Sequence, residues 1–254
     1  TTSSGVYFVL VIEGEEYCVV NSALMFLKML SEYLQCVYEI PSLSYDMLNR
    51  ITEILKLWTS RACQLVLGAG AMAMANLKSI TATNLALSSR CLKLFAKIIP
   101  QIKENLSELF PAEKQPLLNN LDRVTHDYVQ HYQEIIEKLK FIVKQRIDAC
   151  CRNLGESEIW GTYDEKPSPY IVKATGAAVS LHKVLFRLYP ETELQNVFNE
   201  IFALYNSTLV EYFSSLRLNK NGKKRLYNDI NYVIDNLSKL KGTSEQAASL
   251  SVLK

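Results

Sequence analysis

From Leu48 to Met72 apolar side chains recur at alternating steps of three and four: Leu48, Ile51, Leu55, Trp58, Ala62, Leu65, Ala69, Met72. Residues spaced this way lie along one side of an α-helix. The alternation returns along Leu85, Ser88, Leu92, Phe95, Ile99, Ile102, Leu106 and Leu109. It returns again along Leu118, Leu121, Thr125, Tyr128, Tyr132, Ile135, Leu139 and Ile142. Shorter stripes run Ile171, Ala174, Ala178, Leu181, Leu185, Leu188, then Leu194, Phe198, Ile201, Tyr205, Thr208, Tyr212, and last Leu226, Ile230, Val233, Leu237, Leu240. Leu24, Leu27, Leu30, Leu34 and Val37 mark a first helix, which Pro41 ends. The expectation is an all-α chain of about seven helices.

Local signals refine these limits. Thr81 or Thr83 can cap the third helix, and Pro100 inside it should kink it. The fourth is expected from about Glu113 to Asn153. Breaks between stripes carry Pro, Gly, Asn or Ser. The opening text VYFVLVIEGEEYCVV reads either as two short strands around Glu13-Gly14 or as one extended arm, since an isolated hairpin is marginal in water. The expected layout is an N-terminal arm over 1–20, a first helical part over 21–153, a loop over 154–168, a second helical part over 169–241, and a frayed tail over 242–254. Ile54, Val124, Ile136 and Val143 widen the stripes beyond a two-stranded coiled-coil seam, so each helix should pack on several neighbours. Long helices with short connections pack antiparallel, which points to a multi-helix bundle elongated into a rod. Leu65, Leu92, Phe95, Tyr128, Ile135 and Leu139 are the expected core.

One stretch suggests an enzyme. Gly68-Ala69-Gly70-Ala71-Met72-Ala73 satisfies the glycine fingerprint of a dinucleotide-binding turn. That turn needs a strand ending at the first glycine, a fresh helix after it, and an acid about twenty residues on. The helical stripe instead passes through Gly68 and Gly70 in register, and no Asp or Glu lies between Glu53 and Glu104. The sequence therefore favours close helix packing at these glycines, with no cofactor, over a nucleotide-binding enzyme.

Composition narrows the remaining classes. The chain has 254 residues, 48% hydrophobic and 21% charged, as ordinary folded proteins do. Its 28 basic and 26 acidic residues leave a net charge of +2. A dedicated nucleic-acid binder normally carries a strong basic excess for its phosphate contacts, so no nucleic-acid partner is expected. No apolar run approaches the roughly 20 residues that span a bilayer. The start has no basic region of a secretory signal and no Met, so a fragment of a longer cytosolic protein is expected. The six cysteines form no C-x-x-C pair, and free cysteines at apolar helical positions fit a reducing compartment.

His126 and His131 are five apart, off a common helix face. His126-Asp127 alone does not make the metal pair of HD-type phosphohydrolases, and polar helix surface is the preferred reading. The acceptor triplets at Asn105, Asn206 and Asn236 fall inside expected helices. The remaining feature is basic: Arg217, Lys220, Lys223, Lys224 and Arg225 gather around Asn221-Gly222, read as a turn. Such a cluster suits an acidic membrane or partner, at about 1 kcal/mol per residue near anionic lipid. The alternative is a solvated loop near a helix C-terminus, where cations favour the dipole.

The segment SRACQLVLGAGAMAMANLKSITATNLALSSRCLKL, from Ser60 to Leu94, resembles the C-terminal region of the vacuolar protein sorting-associated protein 54 family. The blocks EYLQCVYEIPSLSYDMLNRITEILK and HDYVQHYQEIIEKL carry the same resemblance, and LHKVLFRLYPE and LYNDINYVIDNLSKLKG a looser one. The family supplies a subunit of the Golgi-associated retrograde protein (GARP) complex, a tether built of helical rods. The resemblance implies a non-enzymatic domain at the cytosolic face of the trans-Golgi network and endosomes. It implies partners among the other subunits, the endosomal or vesicle membrane, SNAREs and small GTPases. It also implies that this half of the subunit serves membrane targeting while the missing N-terminal half serves assembly. A helical adaptor or small-GTPase effector outside tethering is the competing class.

Overall fold

The computed structural model describes residues 7–68, 80–156, 158–162, 164–244 and 247. Among them are seven α-helices and one two-stranded antiparallel sheet. The helices are α1 (Asn21–Glu39), α2 (Ser44–Leu67), α3 (Ala82–Ser107), α4 (Asn119–Cys151), α5 (Pro169–Leu185), α6 (Glu191–Ser214) and α7 (Lys220–Leu237). The fold is all-α, with a short hairpin at the N-terminus. By contact density the chain divides into two units, 1–136 and 137–254, with the dividing point inside α4. The 154–168 segment lies within the second unit.

The hairpin alternative is the one observed. Strands β1 (Phe8–Ile12) and β2 (Glu15–Val19) pair from Phe8 opposite Val19 to Ile12 opposite Glu15. Glu13 (φ 52°) and Gly14 (φ 81°) form the two-residue turn, and positive φ at both positions is the type I′ geometry that matches strand twist. A lone hairpin would be marginal, and α3 provides its support. Arg90 of α3, 2% exposed, donates to the Glu16 carbonyl at 2.8 Å and lies 4.8 Å from the Tyr17 ring centre. Lys97 bridges Glu13 at 3.1 Å and Glu15 at 3.2 Å.

The first unit is centred on a cluster of aromatic rings. Phe26 of α1, Trp58 of α2, Phe95 of α3 and Tyr128 of α4 form five ring contacts with centroids 4.7–6.1 Å apart. Tyr128 is fully buried, and its hydroxyl donates to the Leu55 carbonyl at 2.9 Å, which satisfies its polar end. Thr81 is the cap of α3: its hydroxyl accepts from the Asn84 N–H at 3.3 Å while its own N–H donates to Asn84 Oδ1 at 2.9 Å. Helix α3 continues through Pro100 to Ser107.

Leu92, Phe95, Tyr128, Ile135 and Leu139 are buried, each at most 1% exposed. Leu65 is a correction. It is 38% exposed, and α2 turns Leu48, Ile51, Leu55, Thr59, Cys63 and Val66 inward instead. Strict three-four stepping averages 3.5 residues, whereas the helix has 3.6, so the stripe drifts. Leu65 lies roughly 100° of arc from Leu48, about half of it accumulated drift, while Val66 is almost directly above Leu48. The fourth helix also starts later than expected. Ala112–Leu118 forms a 3-10 turn first, because Pro116 lacks an N–H and disfavours α geometry before it.

The second unit contains α5, α6, α7 and two 3-10 turns, Leu154–Glu156 and Glu158–Gly161. Tyr205 of α6 is fully buried, donates to the Ala174 carbonyl of α5 at 2.5 Å and accepts from the Ala178 N–H at 3.3 Å. Trp160 is buried and donates from Nε1 to the Leu154 carbonyl at 2.7 Å, which folds the 154–161 segment on itself.

Leu65–Leu67 is helix, where the dinucleotide reading needs a strand. Gly68 ends α2, its N–H bonded to the Gln64 carbonyl at 3.1 Å. A Cβ there would sit 2.7 Å from that carbonyl oxygen, so the glycine is required by close backbone approach. Gly70 and the rest of 69–79 lie outside the described residues, as does most of the 242–254 tail.

Candidate functional site

The basic cluster is not a turn. Asn219 caps α7, its side-chain oxygen accepting from the Gly222 N–H at 2.8 Å. Lys220, Lys223, Lys224 and Arg225 therefore occupy the first turns of a helix, and Arg217 follows the end of α6. The macrodipole favours Arg217 behind a C-terminus but opposes the cations at the N-terminus of α7. No acidic residue lies in that first turn to offset them.

Helix geometry separates the cluster into two groups. At about 100° per residue, Lys220, Lys223, Lys224 and Tyr227 fall within about 100° of arc. All four are exposed, and Tyr227 is 66% exposed. The opposite arc carries Gly222, Arg225, Asp229, Val233 and Leu237, all buried. Leu226, Ile230 and Leu240 of the expected stripe are only half-buried. Tyr227 was not among the residues picked out by charge, although its spacing of three and four from Lys224 and Lys223 places it beside them. An exposed Tyr among lysines suits a surface whose partner is apolar at depth and charged at its face.

Arg225 is the second correction. It is buried and cannot serve as a contact residue. Its Nε donates to Ser168 Oγ at 2.9 Å, and Nη1 donates to the carbonyls of Ile159 at 3.2 Å and Thr162 at 3.3 Å. Asp229, one turn on, accepts the Ser168 N–H at 2.7 Å. Ser168 precedes Pro169, the first residue of α5, so this pair ties α7 to the start of α5 and to the 158–162 segment. Burial pushes the Asp229 carboxyl above its ordinary value, against the pull of the Ser168 N–H and the Arg225 charge. Gly222 allows this packing, since a Cβ there would lie 3.2 Å from the Trp160 carbonyl oxygen.

Elsewhere in the second unit, a cavity of about 320 Å³ lies among Cys151, Arg152, Leu154, Tyr212 and Leu216. Burial pushes the Cys151 thiol up to about 12, so it is not a nucleophile at neutral pH. His182 of α5 bonds to the Lys241 carbonyl at 2.8 Å, and His126 is exposed on α4. In the first unit Cys63, His131 and Glu134 form a group with metal-ligand chemistry. No helix among the described residues is long and apolar enough to cross a membrane.

A family model described as Vps54-like protein matches residues 14–146. The chain is 38% identical over 240 residues to vacuolar protein sorting-associated protein 54 of Mus musculus, covering 93% of this chain and 24% of that protein. Against the Homo sapiens protein of the same name identity is 36%, with the same coverage. Against the Arabidopsis thaliana relative, named with the addition "chloroplastic", it is 33% over 84% of this chain and 21% of the relative. The chain thus spans about a quarter of the length of these relatives. The family match covers the helices of the first unit and stops before α5, so residues 217–227 lie beyond it.

Proposed function

We propose, on the premise that the chain belongs to the Vps54 family as a C-terminal region of it, that it is a non-enzymatic targeting domain of a vesicle tether. The tether acts in retrograde transport from endosomes to the trans-Golgi network, as part of the GARP complex. This domain brings the complex to the endosomal or vesicle membrane, and the rest of the subunit assembles with the other subunits. SNAREs and small GTPases are further partners of the same complex. The observation that carries this reading is the family match along residues 14–146, joined to an all-α fold with a short N-terminal hairpin.

The exposed face of Lys220, Lys223, Lys224 and Tyr227, with exposed Arg217 just before the helix, is the surface that we assign to membrane contact. Basic residues near an anionic leaflet each contribute about 1 kcal/mol, and an exposed Tyr sits well at the level of the headgroups. The test uses the full-length protein in cells. Reversal of Lys220, Lys223 and Lys224 to Glu should leave co-purification of the other subunits intact and reduce the fraction on endosomes. Unchanged recruitment with intact assembly would exclude this face, and loss of assembly would exclude a targeting role separate from assembly.

A further inference from the structure

Helices α2 and α4 bring together three side chains that the tethering role does not use. Cys63 of α2 faces His131 and Glu134 of α4, and their ligating atoms all lie within 4.8 Å of one another. His131 and Glu134 are three apart, a spacing that puts an imidazole and a carboxylate side by side on a helix face. The same His/Glu spacing builds metal sites between the helices of bundles. Cys63 Sγ already lies 3.6 Å from Glu134 Oε2, close to the edge of about 3.5 Å expected between ligands at 2.0–2.3 Å from a tetrahedral zinc. The longer separations need side-chain shifts of roughly 1 Å.

Two further residues hold the ligands in place. Thr59, one turn before Cys63 and 2% exposed, lies 2.8 Å from His131 Nδ1; with the proton on Nδ1 donated to the Thr59 hydroxyl, the ring is held and Nε2 is the nitrogen left for an ion. Gln130 donates to the other carboxylate oxygen, Glu134 Oε1, at 3.1 Å. Supporting contacts of this kind orient ligands in known metal sites. Cys63 is nearly buried, His131 half-buried and Glu134 exposed, so an ion can enter from the Glu134 side and meet the thiol at the inner end.

We infer that Cys63, His131 and Glu134 bind one zinc ion, with solvent or a donor from a partner as the fourth ligand. A thiolate with an imidazole and one carboxylate selects zinc over magnesium or calcium, which take oxygen ligands only. On binding, a Zn–S bond forms and the Cys63 proton leaves to solvent. Burial and the neighbouring Glu134 charge hold that thiol up at about 11 in the metal-free protein, where it donates to Glu134 instead. The ion then clips α2 to α4 just before α2 ends at Gly68.

The test is titration of the reduced, chelator-stripped chain with zinc against a chromophoric competitor, and with cobalt as a spectroscopic stand-in. The expected result is one equivalent of zinc, a sulfur-to-cobalt charge-transfer band, and no competition by magnesium or calcium. Cys63→Ser, His131→Gln and Glu134→Gln should each weaken zinc binding by about tenfold or more, and Cys63→Ser should abolish the cobalt band. Cys36→Ser and Cys150→Ser, at partly exposed cysteines outside the group, should leave both unchanged. Glu134 is exposed, so its variant reports on binding even if the Cys63 change costs stability. Absence of a stoichiometric zinc at micromolar concentration would overturn the inference. Binding that survives Glu134→Gln, or a cobalt band lost through Cys36 or Cys150, would overturn it equally.

Discussion

The two units solve the same problem with different materials. The first is centred on an apolar cluster, Phe26, Trp58, Phe95 and Tyr128, whose one hydroxyl is satisfied by a backbone carbonyl. The second also has an apolar core, with Phe198, Ile201 and Phe202 fully buried or nearly so. It additionally buries charges of both signs, Arg225 and Asp229, which sit under the start of α7 and hold Ser168, Ile159 and Thr162, whereas the first unit buries a cation, Arg90, against the Glu16 carbonyl and the Tyr17 ring. An apolar cluster loses stability in proportion to what is removed from it. Buried charges behave differently: Arg225 and Asp229 meet through Ser168, so removing one leaves polar groups buried without their hydrogen bonds.

The largest effect should come from the aromatic cluster. Phe95→Ala should cost about 3–5 kcal/mol, a large share of a total of about 5–15 kcal/mol, measured by denaturant unfolding. Next is Arg225→Met, which keeps much of the apolar stem but removes its hydrogen bonds and the positive charge beside Asp229. A loss of about 2–3 kcal/mol is expected, with Arg225→Lys recovering only part of it because an ammonium cannot make the same forked contacts.

That second variant has a pH signature which the first lacks. The folded-state pKa of Asp229 lies above its unfolded value, so the folded state binds its proton more tightly and stability falls as pH rises through that window. Without Arg225 the folded value rises further. The penalty in Arg225→Met should therefore be smaller near pH 4 than at pH 7, whereas the penalty in Phe95→Ala should not change between them. Equal penalties at both pH values for Arg225→Met would remove the contrast between the units. Smaller still is Thr81→Ala, which loses the α3 cap and should cost about 1 kcal/mol, read as a lower midpoint with an unchanged denaturant slope.

Much of this was legible in the sequence, for a physical reason. Stripes such as Leu194, Phe198, Ile201 and Tyr205 bury themselves because apolar area drives helix packing, and their spacing is local information. Leu65 failed because a 3.5-residue rule applied over several turns departs from a 3.6-residue helix. Arg225 failed because charge was read along the chain. A run of basic residues has no inside until the helix register is known, and there the sequence gives an apolar stripe through Leu226 and Ile230 that is displaced from the true inner face. Tyr227 could have been found from spacing alone once a helix was assumed from Lys220. The grouping of Cys63 with His131 and Glu134 could not, because it depends on how α2 and α4 pack.

Helix α7 has two faces, Arg225 inside for stability and, in the proposed function, Lys220, Lys223, Lys224 and Tyr227 outside for membrane contact. The most direct measurement is co-sedimentation of the chain with acidic liposomes at two salt concentrations, on samples whose melting is recorded in parallel. Reversal of Lys220, Lys223 and Lys224 to Glu should reduce binding most at low salt, since charges are screened beyond about 8 Å at physiological ionic strength. The same variant should melt no lower than the parent, and slightly higher if relief at the helix N-terminus is felt, by a few tenths of a kcal/mol. Binding equal to the parent, or absent from both, would contradict the account, as would a triple variant that loses binding only because it has lost its fold.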